Sequence, residues 1–175
     1  MNLAYKSSET PQQIMGYKRI LEIAKDLEGK LGIQFSKAQK LLLLERGTLE
    51  GLLTVLQGNP ISVRVVNQGF VGRTFVRNVI LIDSKTLEEL VEAESIVFLD
   101  RLDVEVANDL REGRLGIGEI MAKHEKESRR EFIEVGFDEP TNSSYRIYDI
   151  FVGENPWFRV KEVFKASLYK DNKLI

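Results

Sequence analysis

Cysteine is absent from this sequence, and histidine occurs once, at His124. The first absence removes disulfides, thiolate nucleophiles and cysteine-built zinc sites. The second removes multi-histidine metal sites and any serine–histidine pair that does not use His124. His124 lies in Lys123-His124-Glu125-Lys126-Glu127, a run that reads as a solvated helix end. No stretch approaches the ~18 consecutive apolar residues of a membrane span. Met1 to Thr10 is mostly polar and lacks the apolar core of a secretion signal, so a cytoplasmic protein with no membrane partner is expected. Charge of one sign is also missing. The 25 basic and 27 acidic residues leave a net charge of −2, so no general field draws the chain to nucleic acid. An anionic ligand must be held by local arginines.

What remains is ordinary globular material. An apolar fraction of 43% and a charged fraction of 30% over 175 residues suit one domain with a single core. The expected domain is 1–175, with 1–36 as an N-terminal helical extension. Thr10-Pro11 opens a helix with a capping hydroxyl and a proline at the first helical position. Ile14, Tyr17, Ile20, Leu21, Ala24 and Leu27 continue it at helical spacing. Ser36 starts a second helix carrying Leu41 to Leu44, and a third around Leu49 to Leu56 ends at Gly58-Asn59-Pro60.

Beyond Pro60 the period changes from helical to two. Strands are expected at Ile61 to Val65 (followed by a turn at Asn67-Gln68-Gly69), Arg73 to Asp83, Ser95 to Leu99, Glu131 to Phe137, Tyr145 to Val152 and Phe158 to Leu168. A helix from about Asp103 to Arg111 and a glycine-rich stretch, Gly113 to Gly118, interrupt them. Helices first, then mostly antiparallel strands with a helical insertion, indicate an α+β fold.

Two residues break the strand pattern. Side chains two apart in a strand share a face, so Arg77 falls among Phe75, Val79 and Leu81, and Glu162 among Phe158, Val160 and Phe164. A lone buried charge costs several kcal/mol unless it is paired or hydrogen-bonded. Three readings account for them: the two charges pair with each other and lock the sheet; one strand is out of register; or both line an enclosed pocket, the arginine to fork a ligand carboxylate and the glutamate to accept a ligand hydroxyl. Periodicity does not choose among these. Gly113, Gly116 and Gly118 precede a short helix with Ile120 and Met121, where backbone N–H groups could face an anion. The stretch has neither the Gly-Lys-Ser/Thr of a phosphate loop nor Gly-x-Gly-x-x-Gly spacing. Arg73 shares a face with Arg77 at the strand's end, and Arg64 points outward.

The order of motifs from about Gln39 to Tyr169 resembles the chorismate pyruvate-lyase family, its archaeal members included. The resemblance rests on Leu42-Leu43-Leu44-Glu45 followed by a loop, Ser62-Val63 leading to Gly69-Phe70, and Phe75-Val76-Arg77. It continues through Ile117-Gly118, Arg130 to Gly136, and Glu162-Val163-Phe164 to Leu168-Tyr169. It implies a six-stranded antiparallel sheet with helices to one side, over a buried site beneath helical flaps. It also implies elimination of pyruvate from chorismate to leave 4-hydroxybenzoate, with no cofactor and no metal. By the same resemblance Arg77 would bind the ring carboxylate and Glu162 the ring hydroxyl, these two being the catalytic pair. Backbone groups at Thr48 and Ile117 would complete the substrate site, in place of the family's usual methionine and leucine. Asn78 stands where the bacterial enzymes carry a glutamate.

An alternative is a non-catalytic sensor of an aromatic carboxylate. The effector domains of GntR-type repressors (the UTRA type) share the fold and a similarly placed arginine. Met1 to Ser36 shows no basic recognition helix, so DNA binding is not expected. A structural protein with a buried Arg77–Glu162 pair is a third reading.

Overall fold

The computed structural model describes residues 15–165 and 168. The described helices are α1 (Tyr17–Leu31), α2 (Lys37–Leu44), α3 (Leu49–Gln57), α4 (Val104–Glu112) and α5 (Ile117–Lys123), with a 3-10 turn at Leu99–Arg101. The strands are β1 (Ile61–Val71), β2 (Thr74–Asp83), β3 (Glu89–Val97), β4 (Arg129–Asp138), β5 (Ser143–Val152) and β6 (Asn155–Phe164). They form a six-stranded sheet in the order β1-β2-β3-β6-β5-β4, and each neighbouring pair is antiparallel. Two three-stranded meanders are thus joined by the β3–β6 pairing, and α4 and α5 fill the connection between them. The α+β expectation holds.

Local chemistry sets the helix limits. Ser36 accepts the Gln39 amide at 3.1 Å, and the Gln39 side chain accepts the Ser36 amide at 2.7 Å. This reciprocal cap starts α2. Gly32, Gly58 and Gly113 end α1, α3 and α4 in the left-handed region, where an L side chain would be strained. The apolar faces of α1, α2 and α3 deliver Ile20, Leu42, Leu43, Leu49 and Leu53 to the core. There α1 lies against β4, α2 against β5, and α3 against β1 and β2.

Several limits differ from expectation. Thr10, Pro11 and Ile14 lie outside the described residues, and the described helix begins at Tyr17 after an extended Gly16. Asn67-Gln68-Gly69 is no turn: it continues β1, with a bulge between Val65 and Asn67 absorbing one residue. The chain reverses at Gly72-Arg73 instead, with Gly72 at φ 63°. Arg73 is therefore an exposed turn residue rather than a neighbour of Arg77 in β2. The third strand starts at Glu89, six residues before Ser95; Glu92 and Glu94 on its outward positions mask the apolar alternation there. The last strand ends at Phe164.

Candidate functional site

The pairing registers place the inward side chains in rows across the sheet. Arg77, Ser95, Val160 and Tyr148 are successive cross-strand partners, and Val79, Ala93, Glu162 and Arg146 form the adjacent row. Arg77 and Glu162 are therefore two interstrand spacings apart, about 10 Å, and one row apart along the strands. The register that put both on the apolar face is the observed one. Both line a single cavity, together with Ile117.

Arg77 and Glu162 do not pair with each other. Glu162, 5% exposed, accepts from Arg146 Nε at 2.6 Å and from the Tyr148 hydroxyl at 2.8 Å. Arg146 in turn donates from Nη1 to the carbonyls of Leu42 and Glu45, each at 2.6 Å. Its guanidinium lies 5.3 to 5.5 Å from the ring centres of Phe132, Tyr148 and Phe164. Burial, then the nearby Glu162 charge, pushes the Tyr148 hydroxyl well above its ordinary range, so it stays a donor at any working pH.

Arg77 is the opposite case. It is 1% exposed and makes one hydrogen bond, from Nη2 to the Leu115 carbonyl at 2.5 Å. Its Nε and Nη1 are buried without a partner. Among the described residues no carboxylate lies within ion-pair distance of it. Burial alone pulls the guanidinium below its ordinary value. An arginine stays charged even so, which leaves an uncompensated buried cation facing a cavity.

The roof is built from the starts of α3 and α5. A Cβ on Gly116 would fall 2.7 Å from Glu50 Oε1, and one on Gly118 would fall 2.9 Å from Thr48 Cγ2. The two glycines thus let these helix starts meet. Thr48 is exposed at the cap of α3 and does not line the cavity; its neighbours Leu49 and Glu50 do. The inner space of the cavity is about 50 Å³, enough for a few waters. Burial raises the Glu50 carboxyl, and the charges of Glu162 and Glu119 push the same way, against Arg130 and Glu50's own backbone amide. His124 stands at the end of α5, as expected, but is half-buried rather than solvated: its Nε2 lies 2.8 Å from Asp109 Oδ2.

Glu50, Arg130, Tyr148 and Arg146 were not singled out by the sequence. Arg146 carried a usable signal, because it shares a strand face with Ser144, Tyr148 and Ile150. Glu50 carried none, since an acid in the first turn of a helix is ordinary. Among the described residues no group of three or more histidines, aspartates or glutamates is arranged to hold a metal ion.

No family model matches the chain. A chorismate pyruvate-lyase of Mycobacterium leprae is 26% identical, over 75% of this chain and 76% of that protein. The chain is a distant homologue of chorismate pyruvate-lyase. That match spans most of both proteins and supports the chorismate lyase-like family suggested by the order of motifs. A 3-deoxy-manno-octulosonate cytidylyltransferase of Blochmanniella floridana is 29% identical over 100 residues, but these cover 57% of this chain and only 38% of that protein.

Two buried arginines in similar surroundings should respond in opposite ways to the same substitution. Arg146→Met strands the Glu162 charge and is expected to destabilise by about 3–5 kcal/mol. Arg77→Met removes a cation that has no partner and is expected to leave stability within about 1 kcal/mol or to raise it. Urea denaturation of both variants checks this. Glu50 supplies a pH test. Its folded-state pKa is raised, so its ionisation is unfavourable to the fold, and stability is lost as pH rises through that raised value. The gain in melting temperature from Glu50→Gln should therefore be larger at pH 7 than at pH 4.

Proposed function

We propose that this protein is a chorismate pyruvate-lyase, releasing pyruvate from chorismate and leaving 4-hydroxybenzoate. The observation that carries the proposal is Arg77: a buried guanidinium with idle donors and no counter-ion, in a cavity shared with a hydrogen-bonded glutamate. In this reading a ligand carboxylate completes Arg77 by charge-assisted hydrogen bonds. The ligand's ring spans the interval to Glu162, whose oxygens each have one protein partner and a further lone pair for a ligand hydroxyl. Backbone groups at Ile117, and at Leu49 next to the Thr48 cap, close the site from the roof.

The chemistry asks little more of the protein. In chorismate the enolpyruvyl ether leaves as pyruvate while the ring becomes aromatic. The ring hydrogen on the hydroxyl-bearing carbon passes to the enolpyruvyl methylene as the ether C–O bond breaks. Donor and acceptor of that hydrogen are both within the substrate, so neither nucleophile nor cofactor is required. The site holds the reactive conformer in a dry enclosure, where orientation is worth up to about 7–11 kcal/mol. Fixed charges stabilise the polarised C–O bond.

Incubation with chorismate, following pyruvate and 4-hydroxybenzoate together, tests the proposal. Both products are expected in equal amounts. Arg77→Ala should lower turnover by about 10²–10³-fold or more while the chain remains folded. Glu162→Gln should lose less than Glu162→Ala. Tight binding of an aromatic carboxylate with no pyruvate released would overturn the lyase reading in favour of a sensor.

A further inference from the structure

A second cation, Arg130, faces the same cavity. Arg130 is the second residue of β4, in register with Ile150 and, through it, Phe158. It lines the cavity from the side opposite Arg77 in the strand order. Its Nη1 donates to the Arg46 carbonyl at 2.5 Å, and its guanidinium lies 5.6 Å from the Tyr148 ring centre. These contacts fix the side chain. Nε, however, is buried and has no partner, and among the described residues no carboxylate stands within ion-pair distance of Arg130. The neighbouring acids do not neutralise it: Glu162 is engaged by Arg146, and Glu50 sits nearby without a bond to it.

The charge balance of the enclosure is informative. Arg146 and Glu162 cancel. Arg77 and Arg130 remain, at opposite ends, each with buried N–H groups left over. Two guanidiniums without an ion-pair partner among the described residues thus face one cavity, and a ligand with two carboxylates would satisfy both where a monoanion would satisfy one. We propose that Arg130 is a second carboxylate-binding residue, so that the cavity selects dicarboxylates whose two acid groups are separated by a ring. This rests on the lyase reading only for the identity of the ligand. On chorismate, Arg77 would take the ring carboxylate and Arg130 the enolpyruvyl carboxylate. Arg130 would then hold the enolpyruvyl group against the ring, and the site would bind the dianionic substrate more tightly than the monoanionic aromatic product.

Titration calorimetry with chorismate and 4-hydroxybenzoate, on wild type, Arg130→Met and Arg130→Lys, tests this. In Arg130→Met, chorismate affinity should fall by about 10–100-fold, the range for a charge-assisted hydrogen bond. The affinity for 4-hydroxybenzoate should stay within about twofold, since that ligand lacks the second carboxylate. Arg130→Lys should recover part of the loss for chorismate alone, which a role confined to tethering Arg46 would not produce. Equal losses for both ligands, or unchanged chorismate affinity, overturn the proposal. Chorismate bound in an Arg130-dependent way but never cleaved supports it while overturning the lyase reading. Cleavage with the Arg130→Met kcat/KM within twofold of wild type does the reverse. A wild-type protein that binds neither ligand overturns both.

Discussion

The buried contact between Arg146 and Glu162 is what the rest of the structure hangs on. It joins β5 and β6, two neighbouring strands of the second meander, and through Nη1 it also gathers the carbonyls at the end of α2. Those carbonyls are the unsatisfied acceptors that every helix leaves at its C-terminus. Meeting them with a buried guanidinium fixes where α2 stops, and so where the chain turns toward Thr48 and α3. The roof of the cavity is set by an interaction made in its floor. Two charges withdrawn from water in this way gain little net stability. What they gain is position: Glu162 cannot rotate without abandoning Arg146 or Tyr148.

Alternation of side chains in β2 and β6 made the faces of Arg77 and Glu162 readable in the sequence, because a period of two leaves no freedom once a strand is assigned. The same alternation concealed the start of β3. Glu92 and Glu94 occupy its outward face, and a strand with one face in water shows half of its pattern as charge. The bulge in β1 was concealed for a different reason. A single inserted residue flips every later side chain, so Asn67-Gln68-Gly69 reads as a break rather than as continued strand. Pairing between distant residues was not readable at all. Opposite charges on two apolar faces invite the inference that they meet, and the partner of Glu162 is instead Arg146, one strand nearer. Glu50 owes its place in the cavity to the approach of two helix starts across Gly116 and Gly118, which no local pattern encodes.

The arrangement separates charges that serve the fold from charges that work against it. Arg146 has the carboxylate of Glu162, two carbonyls and three ring contacts; Arg77 has one carbonyl and an empty space. Both are as buried as any leucine in the core. Desolvating a guanidinium without a counter-ion is among the larger penalties a small domain can carry, and a chain selected for stability alone would place methionine or leucine at residue 77. Glu50 carries a similar, smaller penalty.

These penalties fall together, since Arg77 and Glu50 line one cavity. The fold is therefore held at a higher free energy than the core around the cavity would require. An anion reaching Arg77 supplies its missing partner. Affinity in such a site comes from groups already oriented and already stripped of water. The sheet floor, with its carboxylate fixed by Arg146 and Tyr148, keeps that preorganisation in place.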